Sequence, residues 1–436
     1  MAAPLAVRPL APALVRSWLG TTALAVVCAA GTAVALGAAG GSRFLVSRSR
    51  GAETSWLLGP LGGAGAPPLD RTGFSLLVLL MAAGYLVAVW EAPRMPVRAP
   101  LAAVAALHLV MALAPPLLSP DVFGYLGFAR LGAVHGLDPY AHAAVSISGD
   151  PVYPYVGWKA ISSPYGPLFT LLSYPIGLLG VSGGLWVFKA LGLAAGLGCV
   201  ALTWCCARRL GREPLPPALF VGLNPLWLVW GVGGAHNDLV AALLTLAGVR
   251  AALDGRDGAG SAALLTAAAV KASAALAVPF FLVGAARRGR ALLGAGAAAA
   301  LLAIGAIGAF GLDVVPDALF ALAAQAGQRT IYSVPHHVGL LLGYDRAPNG
   351  LRLIGLALLL GVALATLLAV ARRRLDPITA AGWTTLALLL VSTWMLPWYV
   401  VWLLPLAALG HSPRLRGATL ALGAFILATR LPLLLG

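Results

Sequence analysis

The stretch SPDVFGYLGFAR, residues 119–130, sets an aspartate and an arginine just beyond a long apolar run, in a chain of which only 10% is charged. A carboxylate at such a junction has two uses. Asp121 can cap a helix that begins at Val122, the commoner role, or it can accept the proton of an attacking hydroxyl. With an ordinary pKa of about 3.9 it is ionised at neutral pH, as a base must be. Further along, Tyr165 lies in SSPYGPLF, and His236, Asn237 and Asp238 follow the glycine-rich GVGG. Arg329, His336 and His337 lie in QRTIYSVPHHVG, and Trp398 and Tyr399 in MLPWYVVW. Each of these also has a plain structural use. His236, Asn237 and Asp238 can cap a helix, the aromatics can form an interfacial belt, and two adjacent histidines lack a carboxylate at zinc-ligand spacing. GVGG is no dinucleotide fingerprint, because no βαβ unit surrounds it.

Lys271 stands inside the apolar VKASAALAVPF. An ammonium there costs at least about 2.5 kcal/mol on insertion scales and faces a partner or a cavity. A buried ion pair and an anionic ligand reaching into the membrane both remain open.

Helices crossing a membrane must position these groups. The chain has 436 residues, 60% of them hydrophobic, and a mean hydropathy of +0.91, outside the range of soluble domains. Apolar runs at 17–39, 73–90, 99–118, 184–207, 216–231, 238–253, 291–310, 351–371, 377–392, 395–410 and 417–435 predict about eleven spans, each to cover a hydrocarbon layer of about 30 Å. Residues 261–285, interrupted by Lys271 and Pro279, predict two short helices that dip in and return, and 167–180 predicts a helix at the outer surface. The fold class expected is all-α, a single polytopic membrane domain over 1–436. The first run is expected to be a retained helix rather than a cleaved signal, since it is long and more spans follow.

The net charge of +15 does not point to nucleic acid, because the basic residues come in short clusters between apolar runs. They read as topology signals. With the N-terminus in the cytoplasm, most of the 29 basic residues fall in the short inner connections, as the positive-inside rule requires. The long loops 119–165 and 311–350 are then outside and cap the site. Cys28, Cys199, Cys205 and Cys206 all lie in apolar runs without metal or redox spacing.

An outer carboxylate, a His-Asn-Asp turn, aromatics and membrane-buried cations would together suit a lipid phosphate carrying a sugar. Cations hold the phosphate, aromatics stack on the sugar, and the carboxylate takes the proton of the attacking hydroxyl. The ordered set SPDVFGYLGFAR, GLDPY, SPYGPLF, NPLWLVWGVGGAHND, VKASAALAVPF and PWYVVWLLPL resembles the GT-C superfamily of integral membrane glycosyltransferases. Within it, the chain is similar to the actinobacterial polyprenyl-phosphomannose-dependent α-(1→6)-mannosyltransferases of lipomannan assembly.

The resemblance implies a plasma-membrane enzyme whose active site faces outward. Its donor would be polyprenyl-phosphomannose and its acceptor a mannoside of lipomannan type, joined with inversion in an α-(1→6) linkage. Asp121 matches the position of the catalytic base. His236, Asn237 and Asp238 would line the sugar side, with Tyr165, His336, His337, Trp398 and Tyr399 as further substrate contacts. Lys271 and Arg329 are the candidates for the phosphate. No cofactor or metal is called for. A related enzyme using another sugar such as arabinose, a lipid-linked sugar flippase and a structural scaffold are the alternatives. The absence of an internal repeat and the clustering of polar motifs on one side weigh against a transporter.

Overall fold

The computed structural model describes residues 18–46 and 55–434; Arg8, Arg16, Arg48 and Arg50, used above as topology signals, lie outside the described residues. Among those described the fold is all-α, with a single isolated β-bridge between Val46 and Leu117. The helices are α1 (Trp18–Ala39), α2 (Arg71–Glu91), α3 (Arg98–Leu113), α4 (Asp121–Ala133), α5 (Pro167–Gly177), α6 (Gly180–Arg209), α7 (Leu215–Gly222), α8 (Asp238–Leu253) and α9 (Asp257–Val270). They continue as α10 (Val278–Gly284), α11 (Arg288–Phe310), α12 (Val314–Ala326), α13 (Val334–Leu341), α14 (Asn349–Ala371), α15 (Pro377–Val391), α16 (Leu404–Leu409) and α17 (Pro413–Arg430).

Of the eleven expected spans, five helices are long and apolar enough to cross a membrane: α1, α2, α6, α11 and α14. A sixth crossing results if α7 and the π-helical turn Leu226–Val232, bent by 51°, count as one broken span. The other expected spans fall short for local reasons. At 16, 16 and 15 residues, α3, α8 and α15 are below the roughly 20 that the hydrocarbon core requires. The run at 395–410 divides into a 3-10 turn, Pro397–Trp402, and the six-residue α16, and α17 carries Arg414, Arg416 and Arg430.

Two irregular segments are helical where the sequence predicts short helices. α9 stops at Lys271, which is extended (φ −149, ψ 122), and a 3-10 turn leads to α10, so 261–285 forms two short helices. α5 passes into α6 through Gly180, whose φ of 74 favours glycine. α11 and α14 are hardly covered; Leu293, Leu301 and Ile304 on one and Leu353, Leu356 and Leu360 on the other are exposed. Exposed apolar side chains on 23-residue helices are what a lipid-facing surface carries.

The loop that starts with Asp121 folds into α4 and short 3-10 turns, locked by a buried charge cluster. Arg130 reaches Asp150 with Nε at 2.8 Å and Nη2 at 2.9 Å, and donates from Nη1 to the Gly177 carbonyl at 2.9 Å. His135 Nε2 meets the same carboxylate at 2.8 Å, and the Val152 N–H donates to it at 2.9 Å. The arginine of the motif is thus a strut fixing α4 to the end of α5. Burial alone would raise the Asp150 pKa, but the hydrogen bonds from Arg130, His135 and Val152 hold it down at about 2. Because the folded value lies below the unfolded one of about 3.9, this stabilisation is present above pH 4 and is lost as the pH falls towards 2. Asp150→Asn is expected to lower stability by about 3 kcal/mol, since it leaves Arg130 buried without its counterion; thermal unfolding of the full chain in detergent at pH 7 measures it.

Candidate active site

Two turns carry the residues singled out above, and both are strained. Leu118, three residues before Asp121, has φ 61, and Ala235, just before His236, has φ 56. Left-handed backbone at a non-glycine residue is disfavoured and tends to mark sites that the surrounding structure over-determines. Here the surroundings are explicit. The Leu117 N–H donates to the Gly233 carbonyl at 3.1 Å and the Leu118 N–H to the Leu45 carbonyl at 2.7 Å. Lys189, fully buried in α6, donates at 2.8 Å both to that Gly233 carbonyl and to the Met111 carbonyl at the end of α3. The glycines of GVGG permit this crowding: a Cβ on Gly233 would lie 2.3 Å from the Val229 oxygen, and one on Gly234 2.4 Å from the Trp230 oxygen.

Asp121 is the first residue of α4 and does not cap it; Pro120 holds the cap position and no side chain closes the turn. Its own N–H donates to Ser119 Oγ at 3.1 Å. The carboxylate, 13% exposed, lies 3.6 Å from His236 Nδ1. Burial raises the Asp121 pKa to about 6, opposed by the Lys271 charge and the Ser119 hydrogen bond. The ordinary carboxylate value expected from sequence is therefore replaced by one two units nearer neutrality, though Asp121 is still ionised at pH 7. His236 is completely buried, stacked on Trp398 with ring centroids 3.7 Å apart. Burial, then the Lys271 and Lys189 charges, hold its imidazole well below the ordinary range, so it meets Asp121 as a neutral ring.

Asn237 accepts from the Tyr125 hydroxyl at 3.4 Å and returns its N–H to that oxygen at 3.3 Å. Asn237 Nδ2 and His236 Nε2 are buried and have no hydrogen-bond partner among the described residues. Both residues stand behind Asp121 rather than on a cavity wall, so the sequence expectation that they line the sugar is not met. Asp238 differs: it is fully buried, bonded by Lys271 Nζ at 2.8 Å and by Trp402 Nε1 at 2.7 Å. Tyr165, Tyr399 and Trp402 surround Lys271, with the ammonium 6.0, 5.4 and 5.5 Å from their ring centroids. Of the two readings of Lys271, the ion pair is the one observed, with Asp238 as partner.

In front of Asp121 opens a cavity of about 360 Å³, walled by Trp158, Tyr165, Trp394 and Trp398 and by the α12 residues Phe320 and Gln325. Among the described residues, Arg430, at the end of α17, is the one cation on its wall. The remaining sequence candidates sit elsewhere. Arg329 donates to the Ala347 carbonyl at 2.9 Å and to Asn349 Oδ1, fixing the start of α14. His336 and His337 lie on α13, and His337 packs on Phe425. Asp150 is committed to Arg130. Sequence reading missed Arg430, and a lone arginine within the last apolar run is the only signal that could have raised it.

Fold and site thus define an all-helical membrane protein with a carboxylate, an arginine and aromatic rings facing one cavity. Residues 17–287 match the family model described as alpha-(1->6)-mannopyranosyltransferase, N-terminal domain, and residues 327–433 that described as MptB C-terminal domain. The chain belongs to this α-(1→6)-mannopyranosyltransferase family. It is 29% identical to a Mycolicibacterium smegmatis protein named "Probable alpha-(1->6)-mannopyranosyltransferase", over 71% of this chain and 65% of that one. It is 31% identical to alpha-(1->6)-mannopyranosyltransferase A of Mycobacterium tuberculosis, over 68% of this chain and 62% of that one. The chain therefore spans less than two thirds of either relative. No solved structure matches it.

Lys271→Met is expected to destabilise the protein by about 3–5 kcal/mol, because Asp238 stays buried with its charge uncompensated. Chemical unfolding of the purified variant measures the loss.

Proposed function

We propose that this protein transfers mannose from polyprenyl-phosphomannose to a mannoside acceptor of lipomannan type, with inversion, forming an α-(1→6) linkage at the outer face of the plasma membrane. The observation that carries the reading is the cavity in which Asp121 and Arg430 are the charged groups among aromatic walls, in a chain of this family. Its volume of about 360 Å³ is within the range of small-ligand sites, roughly 300–1,000 Å³. Phe128, Ile161, Phe320 and Leu396 give it apolar sides, suited to a prenyl chain.

In this mechanism the acceptor hydroxyl gives its proton to the Asp121 carboxylate as its oxygen attacks the anomeric carbon. The bond from that carbon to the phosphate oxygen breaks, and both electrons leave with the phosphate. Arg430 stabilises the leaving phosphate, the part first assigned to Lys271 and Arg329. Its guanidinium is held by the Met395 carbonyl at 2.8 Å and lies 3.6 Å from the Tyr332 ring centroid, so it is set in place before the ligand arrives. Trp158, Tyr165 and Trp398 stack on the sugar, and His236, buried behind the cavity wall, holds its ring 3.6 Å from the Asp121 carboxylate. The fold that goes with this proposal is of GT-C type. Its eleven crossings include α3, α8, α15, α17 and the broken segments with their flanking turns, and the N-terminus is cytoplasmic.

Incubation of the purified chain with polyprenyl-phosphomannose and a short mannoside, followed by mass and linkage analysis, tests the reaction; absence of a mannosylated product would refute it. Asp121→Asn is expected to lower kcat by about 10²–10⁴, the usual worth of a general base, without altering thermal stability by more than about 1 kcal/mol. In the wild type, kcat/KM is expected to fall on the acid side about tenfold per pH unit below a midpoint near 6, where Asp121 takes up its proton. A flat profile from pH 5 to 8 would remove Asp121 from the role. Arg430→Met is expected to raise the donor concentration for half-saturation at least tenfold, while the same change at Arg329 leaves it unchanged.

A further inference from the structure

A second cavity, of about 300 Å³, is lined by Arg288, Arg373, Arg374, Asp376, Gly284 and Pro377 among others. It lies at the other end of the helices from Asp121. α11 begins in it at Arg288 and runs 23 residues to Phe310, roughly 35 Å at about 1.5 Å per residue. There Phe310 packs on Tyr140 of the Asp121 loop, with centroids 5.2 Å apart. α14 starts beside Arg329 and ends two residues before Arg373. The two cavities therefore open on opposite membrane faces, and this one opens on the face that collects most of the arginines.

The charge in this cavity is not balanced. Asp376 is already used by its own helix: it accepts from the Thr379 N–H at 2.8 Å and the Thr379 hydroxyl at 2.6 Å, and His411 lies at 3.4 Å. Arg288 donates to the Val283 carbonyl at 3.1 Å. Arg373 and Arg374 make no side-chain hydrogen bond or ion pair to the described residues.

The backbone gives an independent sign. α14 ends in a closure in which the Arg373 N–H bonds the Val370 carbonyl and the Arg374 N–H the Ala369 carbonyl. That closure places Arg373 in the left-handed region, at φ 57, a position that favours glycine. The same closure ends α6, α8 and α13, and there it uses glycine: Gly211 (φ 71), Gly255 (φ 74) and Gly343 (φ 82). Only α14 puts an arginine there, at a cost in backbone strain, and its side chain lines the cavity.

We propose that this cavity binds the phosphate headgroup of an anionic membrane lipid. Guanidinium groups match phosphate oxygens in pairs, and basic pockets between membrane helices on the cytoplasmic side are suited to such headgroups. Exposed leucines continue from the rim along the neighbouring helices, Leu292 and Leu293 on α11 and Leu364 and Leu368 on α14, where acyl chains would lie. The site is separate from the proposed mannosyl transfer and does not depend on it.

Native mass spectrometry of the full chain in detergent, titrated with phosphatidylglycerol or phosphatidylcholine with and without inorganic phosphate, tests the proposal. One phosphatidylglycerol is expected to bind at least tenfold more tightly than phosphatidylcholine. The combined Arg288→Gln, Arg373→Gln, Arg374→Gln variant is expected to lose that preference. Loss of two exposed arginines on the same face, by Arg208→Gln and Arg414→Gln, is expected to leave it intact. Arg373→Gly separates ligand from fold: thermal stability rises as the strain is relieved, while phosphatidylglycerol affinity falls. Unchanged lipid affinity in Arg373→Gly and in the combined variant overturns the site. Binding of inorganic phosphate without any lipid preference overturns the lipid assignment and gives the cavity to a soluble phosphate.

Discussion

One carbonyl oxygen, that of Gly233, holds the candidate site together. It accepts the Leu117 N–H from the segment leading to Asp121 and the Lys189 ammonium from α6, and it belongs to the turn that presents His236. Two loops more than a hundred residues apart in sequence are thereby fixed to one point. Lys189 has no carboxylate partner among the described residues, only the two carbonyls. In a membrane interior a buried ammonium without such acceptors is costly, so the carbonyls and the charge constrain one another. The strained backbone at Leu118 and Ala235 follows, since both turns must bend sharply to bring Asp121 and His236 to 3.6 Å.

Around this anchor the few charges divide into those satisfied within the fold and those left to the cavities. Asp238 with Lys271, and Asp150 with Arg130 and His135, are closed sets. The aromatic shell about Lys271 and the Trp402 N–H on Asp238 complete the first of them. At low dielectric an open pair of this kind would be a liability, which is why neither set faces the ligand space. Asp121 and Arg430 are different, since both line the larger cavity and, among the described residues, neither has a charged partner in direct contact. The Lys271 charge still acts through space on Asp121, opposing the rise in pKa that burial causes.

The candidate site was legible in sequence where it is local and obscure where it is not. Asp121 after a proline, and His236, Asn237 and Asp238 after glycines, stand out because a polar group beside an apolar run must have a reason. The all-helical fold and the interruption at Lys271 follow likewise from composition and from one charge in an apolar segment. Pairing is not written locally. Lys271 finds Asp238 33 positions away, and Asp238 finds Trp402 164 positions away, and nothing in either neighbourhood marks the partner. The expected count of eleven exceeds the five or six helices long enough to cross for a related reason: hydropathy sees an apolar run at 395–410 but not that Pro397 and Pro405 divide it into a 3-10 turn and a six-residue helix. Arg430 and Arg329 are equally plausible in sequence, and only packing puts the first on the cavity wall and the second against the start of α14.

Backbone strain separates the two kinds of residue better than charge does. Among the described residues, three that are not glycine take a positive φ: Leu118, Ala235 and Arg373. The first two flank the meeting of Asp121 and His236, and the third lines the arginine cavity at the far ends of α11 and α14. Helix ends that serve only to reverse the chain, such as those after α6 and α8, use glycine at the equivalent position. A side chain kept where glycine would relax the backbone must be retained for what it touches or for what it forces its neighbour to do. Leu118 and Ala235 act in the second way, since each precedes the chain that carries a polar group of the site; for Arg373 the guanidinium on the cavity wall is the feature that the proposed headgroup site uses.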